Sequence, residues 1–459
     1  MSAHHDLTAE PIPVLLRALA VPVGVGFFFN TMFNVVDVFY AGRINTKALA
    51  ALSLCFPMFF IIVAMGAGVL MAATALIGHA LGAGRRDEAE TFAAQAFSFA
   101  LLHALCIMGA AFVAAPWIFA RMGATGEYLS LAVTYVRALF AGAPFFLGNY
   151  VCNAILSAAG DTRSFRNYLV GSFFLNLILD PWFVYGGLGL PAMGLAGIAW
   201  ATVLIQILGN CYMLRMAIGT GLVSRRSWRL LVPRQQPFLR LFGQGIPASL
   251  NMLTVAVGIF VITWYVGRFG EAAVAAYGIC TRIEQIVILP VMGLNVATLS
   301  LVARNFGAGR LERVRETQQT ALTSGLTIMA GGTVAVFLAA GLLIGLFTTD
   351  AGVSAAGREY FRINAFVLGS YVVLYVNNAA LQGLQRPVFA LWIGLLRQLA
   401  APLLLFPLLA VSFGWGLTGI WWGILVVNWS AAVVSILYTR YVMQSLGVTS
   451  TEGTRAGSS

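Results

Sequence analysis

Two polar side chains interrupt the apolar stretch Phe174-Leu-Asn-Leu-Ile-Leu-Asp-Pro181: Asn176 and Asp180, four residues apart. On a helix that spacing puts both on one face. A carboxylate at the centre of a membrane-spanning helix costs at least about 2.5–3.5 kcal/mol on insertion scales, so such an acid faces protein or water and marks a functional site. The chain has 16 Asp and Glu. All but Asp37, Asp180 and Glu284 fall in loops, termini or the ends of apolar runs. Two facing carboxylates repel, and a shared proton or a bound cation relieves that repulsion, so sodium and proton are both chemically open. Around Glu284 the arithmetic differs. Arg282 is two residues away and points about 200° from it on a regular helix, so the two cannot neutralise each other. Arg397 is the other cation within a span, and an ion pair between Glu284 and Arg397 is expected.

These acids must be positioned by membrane helices. Sixty per cent of the residues are hydrophobic and 9% charged, against roughly 45–50% apolar and 25% charged in a soluble domain. Twelve apolar runs follow one another between residues 12 and 445, each long enough for a span of about 20 residues. The runs are continuous and do not alternate, which excludes a transmembrane β-barrel. The expected fold is therefore an all-α integral membrane protein of twelve spans. Met1–Glu10 is a short polar start without a basic segment or cleavage site, so no signal peptide is read.

Of the 27 basic residues, eighteen fall on the side of the N-terminus and seven on the other. The positive-inside rule then places both termini in the cytoplasm of a plasma (inner) membrane protein. Topology and anionic lipid head groups account for the net charge of +11 without a nucleic-acid partner. The longest basic stretch, Arg215 to Arg240, lies at mid-chain. A shift of 225 residues superposes Pro22 on Pro247, Ala41-Gly-Arg43 on Val266-Gly-Arg268, Cys55 on Cys280, Gly68 on Gly293 and Gly82-Ala-Gly-Arg85 on Gly307-Ala-Gly-Arg310. Six spans per half make the two parallel repeats. The domain reading is an N-terminal lobe at 11–218, a cytoplasmic linker at 219–237, a C-terminal lobe at 238–446 and a disordered tail at 447–459. The shift takes Asp37 to Ile262 and Asp180 to Leu405, so the halves differ in chemistry.

Asn34-Val-Val-Asp37, the repeated Gly-Ala-Gly-Arg turn, Asn176-Leu-Ile-Leu-Asp-Pro181, Gly197-Ile-Ala-Trp-Ala-Thr202, Arg282-Ile-Glu-Gln285 and Gln382-Gly-Leu-Gln-Arg-Pro387 together resemble the multidrug and toxic compound extrusion (MATE) transporters. The resemblance covers both halves and the linker. It implies two six-helix lobes forming a V, and export of organic compounds by alternating access, driven by inward sodium or proton movement. By motif match it also implies a first-lobe cation site of Asp37, Asn176, Asp180 and Thr202. Their two carboxylates, amide carbonyl and hydroxyl are hard oxygen donors of the kind sodium takes. Related branches place an important acid in the second lobe, so the resemblance implies an alternative to the ion pair, in which Glu284 binds a proton or a cationic drug. This chain departs from them in having Asn377 and Asn378, not an acid, in the tenth span.

Other chemistry is weak. The five cysteines fall singly in apolar runs, which indicates buried thiols and no metal or disulfide framework. His79 and His103 are isolated. The Gly82 turn lacks the strand and the Lys-Ser/Thr of a phosphate loop, so no nucleotide-driven motor and no resident cofactor is expected. No paired His/Asp set lies in the spans, so the chain reads as a transporter and not an enzyme. It should act as a monomer on small drug-like organic molecules, cationic or amphiphilic, with membrane lipids around it. The runner-up function is a lipid-linked precursor flippase, whose anionic pyrophosphate would need several cations where only Arg282 and Arg397 are available.

Overall fold

A computed structural model describes residues 6–187, 189–224 and 229–447. Arg225, Arg226 and Arg455, counted in the charge argument, and nearly all of the 447–459 tail lie outside them. Among the described residues the regular structure is helical apart from one isolated bridge, Gly187 to Leu190. In order the helices are α1 (Ile12–Ile44), α2 (Thr46–Gly82), α3 (Arg86–Arg121), α4 (Gly126–Ala141), α5 (Ala143–Ala158), α6 (Arg163–Tyr185), α7 (Leu195–Gly219), α8 (Gln235–Gly267), α9 (Glu271–Val287), α10 (Leu289–Gly307), α11 (Leu311–Gly345), α12 (Ala351–Asn364), α13 (Val367–Gly383), α14 (Val388–Leu395), α15 (Ala401–Pro407) and α16 (Gly416–Ser445). π-helical turns at Leu396–Ala400 and Leu408–Ser412 make 388–412 one span. Among the described residues nine helices are long and apolar enough to cross a membrane, and up to twelve spans result when each of three bent pairs counts as one.

Two of the three bends have a local cause. α4 and α5 meet at 43° and α9 and α10 at 47°, and Pro144 and Pro290 stand in the first turns of α5 and α10. Proline lacks the N–H needed to continue the preceding helix. α2 has Met65 where the 225 shift places Pro290, and it runs unbroken.

The 225-residue repeat reappears in atomic detail. Gly84 and Gly309 have φ of +72° and +69°, and the following amides, Arg85 and Arg310, bond Ala80 O and Asn305 O at 2.9 Å each. This is the left-handed helix ending that glycine permits. Cys55 Sγ meets Ala132 O at 3.4 Å, and Cys280 Sγ meets Gly357 O at 3.7 Å. Gly160 (φ +87°) corresponds to Gln385 (φ +61°).

Two compact units follow the halves of the chain with one exchange. Among the described residues the first comprises 25–249 and the second 6–24 and 250–447. A lobe boundary between 218 and 238 therefore divides neither α1 nor α8 where the contacts do. Close backbone approach explains the exchange. A Cβ on Gly68 of α2 would lie 2.5 Å from Gly245 O of α8, and one on Gly293 of α10 would lie 2.3 Å from Ala20 O of α1. The end of the linker belongs to the first unit too: Gln95 Nε2 donates to Val232 O at 2.8 Å and Gln95 Oε1 accepts from Arg234 N at 2.8 Å. In the second unit Asn305 Nδ2 donates to Leu7 O at 3.1 Å and Arg313 Nη2 to Glu10 O at 2.6 Å. The Thr8 hydroxyl and amide, donating to Asp6, hold that carboxyl below its usual range.

Candidate functional site

In the first unit, α1, α6 and α7 are gathered by an apolar cluster of Phe33, Leu179, Ala201 and Ile205. Each sequence-expected polar residue is next to, or one turn from, a member of it: Asp37 one turn after Phe33, Asp180 beside Leu179, Thr202 beside Ala201. α6 and α7 approach closely because Gly197 carries no side chain; a Cβ there would lie 2.6 Å from Phe183 O. Pro181 follows Asp180, and its missing N–H deprives the Leu177 carbonyl of its intrahelical donor.

Asp37 is 8% exposed, while Asn176 and Asp180 are fully buried. Asn176 Nδ2 donates to Asp37 Oδ1 at 3.0 Å, which turns the amide oxygen away from that bond. Asn176 Oδ1, Asp180 Oδ1 and Asp180 Oδ2 are buried with no partner in hydrogen-bonding geometry among the described residues, although Asp37 and Asn176 lie close enough to Asp180 to interact with it. Buried polar atoms are almost always satisfied. Three acceptor oxygens left open in one place fit a proton or a small cation. Thr202 is buried on the third helix and its hydroxyl donates to Ile198 O at 2.9 Å. No hydrogen bond joins it to either carboxylate, and its oxygen keeps its lone pairs as an acceptor.

Tyr135 of α4 completes the surroundings. It is 5% exposed and within electrostatic range of both Asp37 and Asp180. Its local sequence does not distinguish it from the chain's other tyrosines. The available signal was its 225-residue counterpart, Tyr360, which sits beside the acid of the second unit.

There the expected pair is absent. Glu284 Oε1 accepts from the Tyr360 hydroxyl at 2.8 Å, and Arg397 Nη1 donates to Asn428 Oδ1 at 2.9 Å. Among the described residues no ion pair joins Glu284 to Arg397. Each has a neutral partner from another helix, the phenol from α12 and the amide from α16. Arg397 also lies inside a π turn, which holds more residues than the 3.6 of an α turn and so changes the facing read from a regular helix. Arg282 is exposed and has no part in this arrangement. Tyr360 packs at 4.9 Å and 86° on Trp421, and Tyr277 stacks on Trp421 at 6.2 Å. Glu284 is thus bonded to one member of an aromatic cluster of Tyr360, Trp421 and Tyr277. In the tenth span Asn377 Oδ1 accepts from Gln318 Nε2 at 2.6 Å.

The sequence profile of the MatE family matches the chain twice, at residues 22–182 and 247–406. The chain belongs to that family. As a MatE protein it is a multi-pass membrane transporter and not an enzyme. The two matched segments fall in the two halves that the 225-residue shift relates. Among similar proteins, an FAD transporter of Shewanella oneidensis is 28% identical over 90% of each chain. A multidrug export protein, MepA, of Staphylococcus aureus is 23% identical over 96% of this chain and 97% of its own. A MOP superfamily transporter from Pyrococcus furiosus has a similar structure, with a TM-score of 0.90 and 25% identity over 97% of this chain and 99% of that one. An outward-facing MATE family transporter has a TM-score of 0.88 at 25% identity over 98% of this chain and all of its own.

Proposed function

We propose that this MatE transporter is a secondary active exporter of organic, cationic or amphiphilic compounds in the plasma membrane, working by alternating access and coupled to inward sodium or proton movement through the first-lobe acids. The observation that carries the reading is the set of three buried oxygens without partners, Asn176 Oδ1 and both oxygens of Asp180, beside Asp37. An unpaired polar group in a span costs several kcal/mol. A cation or proton that enters this place removes that cost, and its departure restores it, which is what a coupling site requires. Thr202 adds a hydroxyl oxygen on the neighbouring helix, and Tyr135 adds a phenol within range of both acids. The multidrug export protein and the FAD transporter among the relatives favour organic cargo.

Asp180→Asn tests the coupling. It keeps the shape and removes the charge that holds the ion. Reconstituted in liposomes, the variant should lose dye export driven by a sodium gradient or a proton gradient while unfolding at nearly the parent temperature. Undiminished gradient-driven export would reject the site. The orientation with both termini and the linker in the cytoplasm has its own check. In a background without the native cysteines, an impermeant maleimide applied to intact cells should label Ala351→Cys and miss Val232→Cys, at the exposed Val232 of the linker.

A further inference from the structure

One charge of the second unit has no part in the coupling site. Arg397 lies in the span formed by 388–412, about 14 Å along it at 1.5 Å per residue, near the middle of a hydrocarbon core about 30 Å thick. A guanidinium at that depth is costly and persists where something answers it. Its protein partners are neutral. Nη1 donates to Asn428 Oδ1 at 2.9 Å, and the guanidinium carbon lies 5.9 Å from the centroid of the Tyr371 ring. Asn428 is fixed in turn, its Nδ2 donating to Ile424 O at 2.8 Å, so its carbonyl is held toward the arginine. Glu284, the buried acid among the described residues of the second unit, is bonded to Tyr360. Arginine has five N–H donors in a planar fork, and Asn428 takes one of them.

The backbone around it is also unusual. Leu396–Ala400 is a π turn, a form frequent at functional sites. Beside it, two glycines let polar side chains lie in the contact between α8 and this span. A Cβ on Gly394 would stand 2.4 Å from Asn251 Oδ1 and 2.8 Å from Thr254 Oγ1, and one on Gly258 would stand 2.0 Å from Gln398 Oε1. These neighbours supply amides and a hydroxyl, and no second charge.

We propose that Arg397, held by Asn428 beside Tyr371, is the subsite for an oxyanion of the transported molecule, a carboxylate or phosphate carried on an aromatic or apolar body. The assignment rests on the exporter reading and specifies part of its substrate class. The open edge of a guanidinium matches a carboxylate or phosphate with two parallel hydrogen bonds. A single arginine suits one such group. A lipid phosphate resides at the interface, while this arginine lies at mid-span depth.

The test compares riboflavin, which is neutral, with riboflavin 5′-phosphate, by flavin fluorescence on the full-length protein in phosphatidylcholine nanodiscs. The parent should bind the phosphate at least tenfold more tightly. Arg397→Gln should bring the ratio of the two affinities close to one, and Arg397→Lys, which keeps the charge and loses the fork, should give a ratio between. A parent ratio near one overturns the proposal, as does a folded glutamine variant with the parent's ratio. Should the glutamine variant fail to fold, a lysine variant equal to the parent overturns it. Phosphatidylglycerol added to the nanodiscs should leave the parent ratio unchanged; abolition of the preference by this lipid assigns Arg397 to head groups and also overturns the proposal. The assay reads binding without a gradient, so it fails independently of ion-driven export, which Asp180→Asn tests.

Discussion

The two lobes share a backbone and divide the chemistry. Cys55 and Cys280 reach equivalent carbonyls, Gly84 and Gly309 end equivalent helices, and Tyr135 and Tyr360 stand at equivalent places. Both tyrosines lie beside buried acids, yet the acids come from different helices: α1 and α6 in the first lobe, α9 in the second. In the first lobe the carboxylate oxygens of Asp180 are left open. In the second, Glu284 is bonded by Tyr360, and the unmatched charge is a cation, Arg397. The lesson is that a duplicated scaffold preserves its turns and close approaches while the ionisable groups are redistributed. One lobe leaves carboxylate oxygens without hydrogen-bond partners among the described residues, and the other gives its buried acid a phenol and its arginine an amide.

The widest contrast should come from neutralising the acids one lobe at a time. Asp180→Asn removes a charged ligand worth about 3 kcal/mol, roughly a hundredfold in ion affinity, and ion-driven export should fall by at least that much. Glu284→Gln keeps an oxygen for the Tyr360 hydroxyl, so export should change by less than about tenfold and stability by less than about 1 kcal/mol. Equal loss of transport in the two variants would break the comparison and place coupling in both lobes.

A second contrast concerns the glycines that seat the exchanged helix halves. Gly68→Ala and Gly293→Ala each drive a methyl into a backbone carbonyl, at 2.5 Å and 2.3 Å, and each should cost about 1–3 kcal/mol by overpacking. Thermal unfolding of the two purified variants measures this, and a loss confined to one of them would show that the seats are not equivalent. The smallest effect lies at the helix ends. Gly160→Ala should cost about 1 kcal/mol, because alanine is strained at φ +87°. Gln385→Gly should gain less than about 1 kcal/mol on relief of φ +61°. The same unfolding measurement distinguishes the two signs.

The sequence made the spans, the repeat and the first-lobe acids legible because each is a one-dimensional signal: a run, an offset, or a charge where charges are rare. Partner choice is three-dimensional and was read less well. By sequence Glu284 and Arg397 are the remaining opposite charges and pair by elimination, whereas the chain gives the acid a phenol and the arginine an amide. Nothing in the local sequence announces that Asn428 faces span 388–412, nor that 396–400 winds as a π turn. Tyr135 was overlooked because a tyrosine among many aromatics carries no mark of its neighbours. The bends at Pro144 and Pro290 were available in the residues, but an apolar run conceals a change of direction. The domain limits at 218 and 238 followed composition and missed the exchange of α1 and α8, which depends on where two glycines meet two carbonyls.

That exchange governs the order in which the protein can be completed during synthesis. The first half of α1 leaves the ribosome well before its seat on Gly293, which lies about 270 residues further along the chain, a closure distance that slows folding. The first lobe likewise waits for residues 235–249, which are translated after all of its other helices. Neither half is a finished folding unit by itself: a nascent chain halted in the linker would hold an unplaced helix end and an uncovered Gly68, surfaces through which it could associate with another copy by swapping.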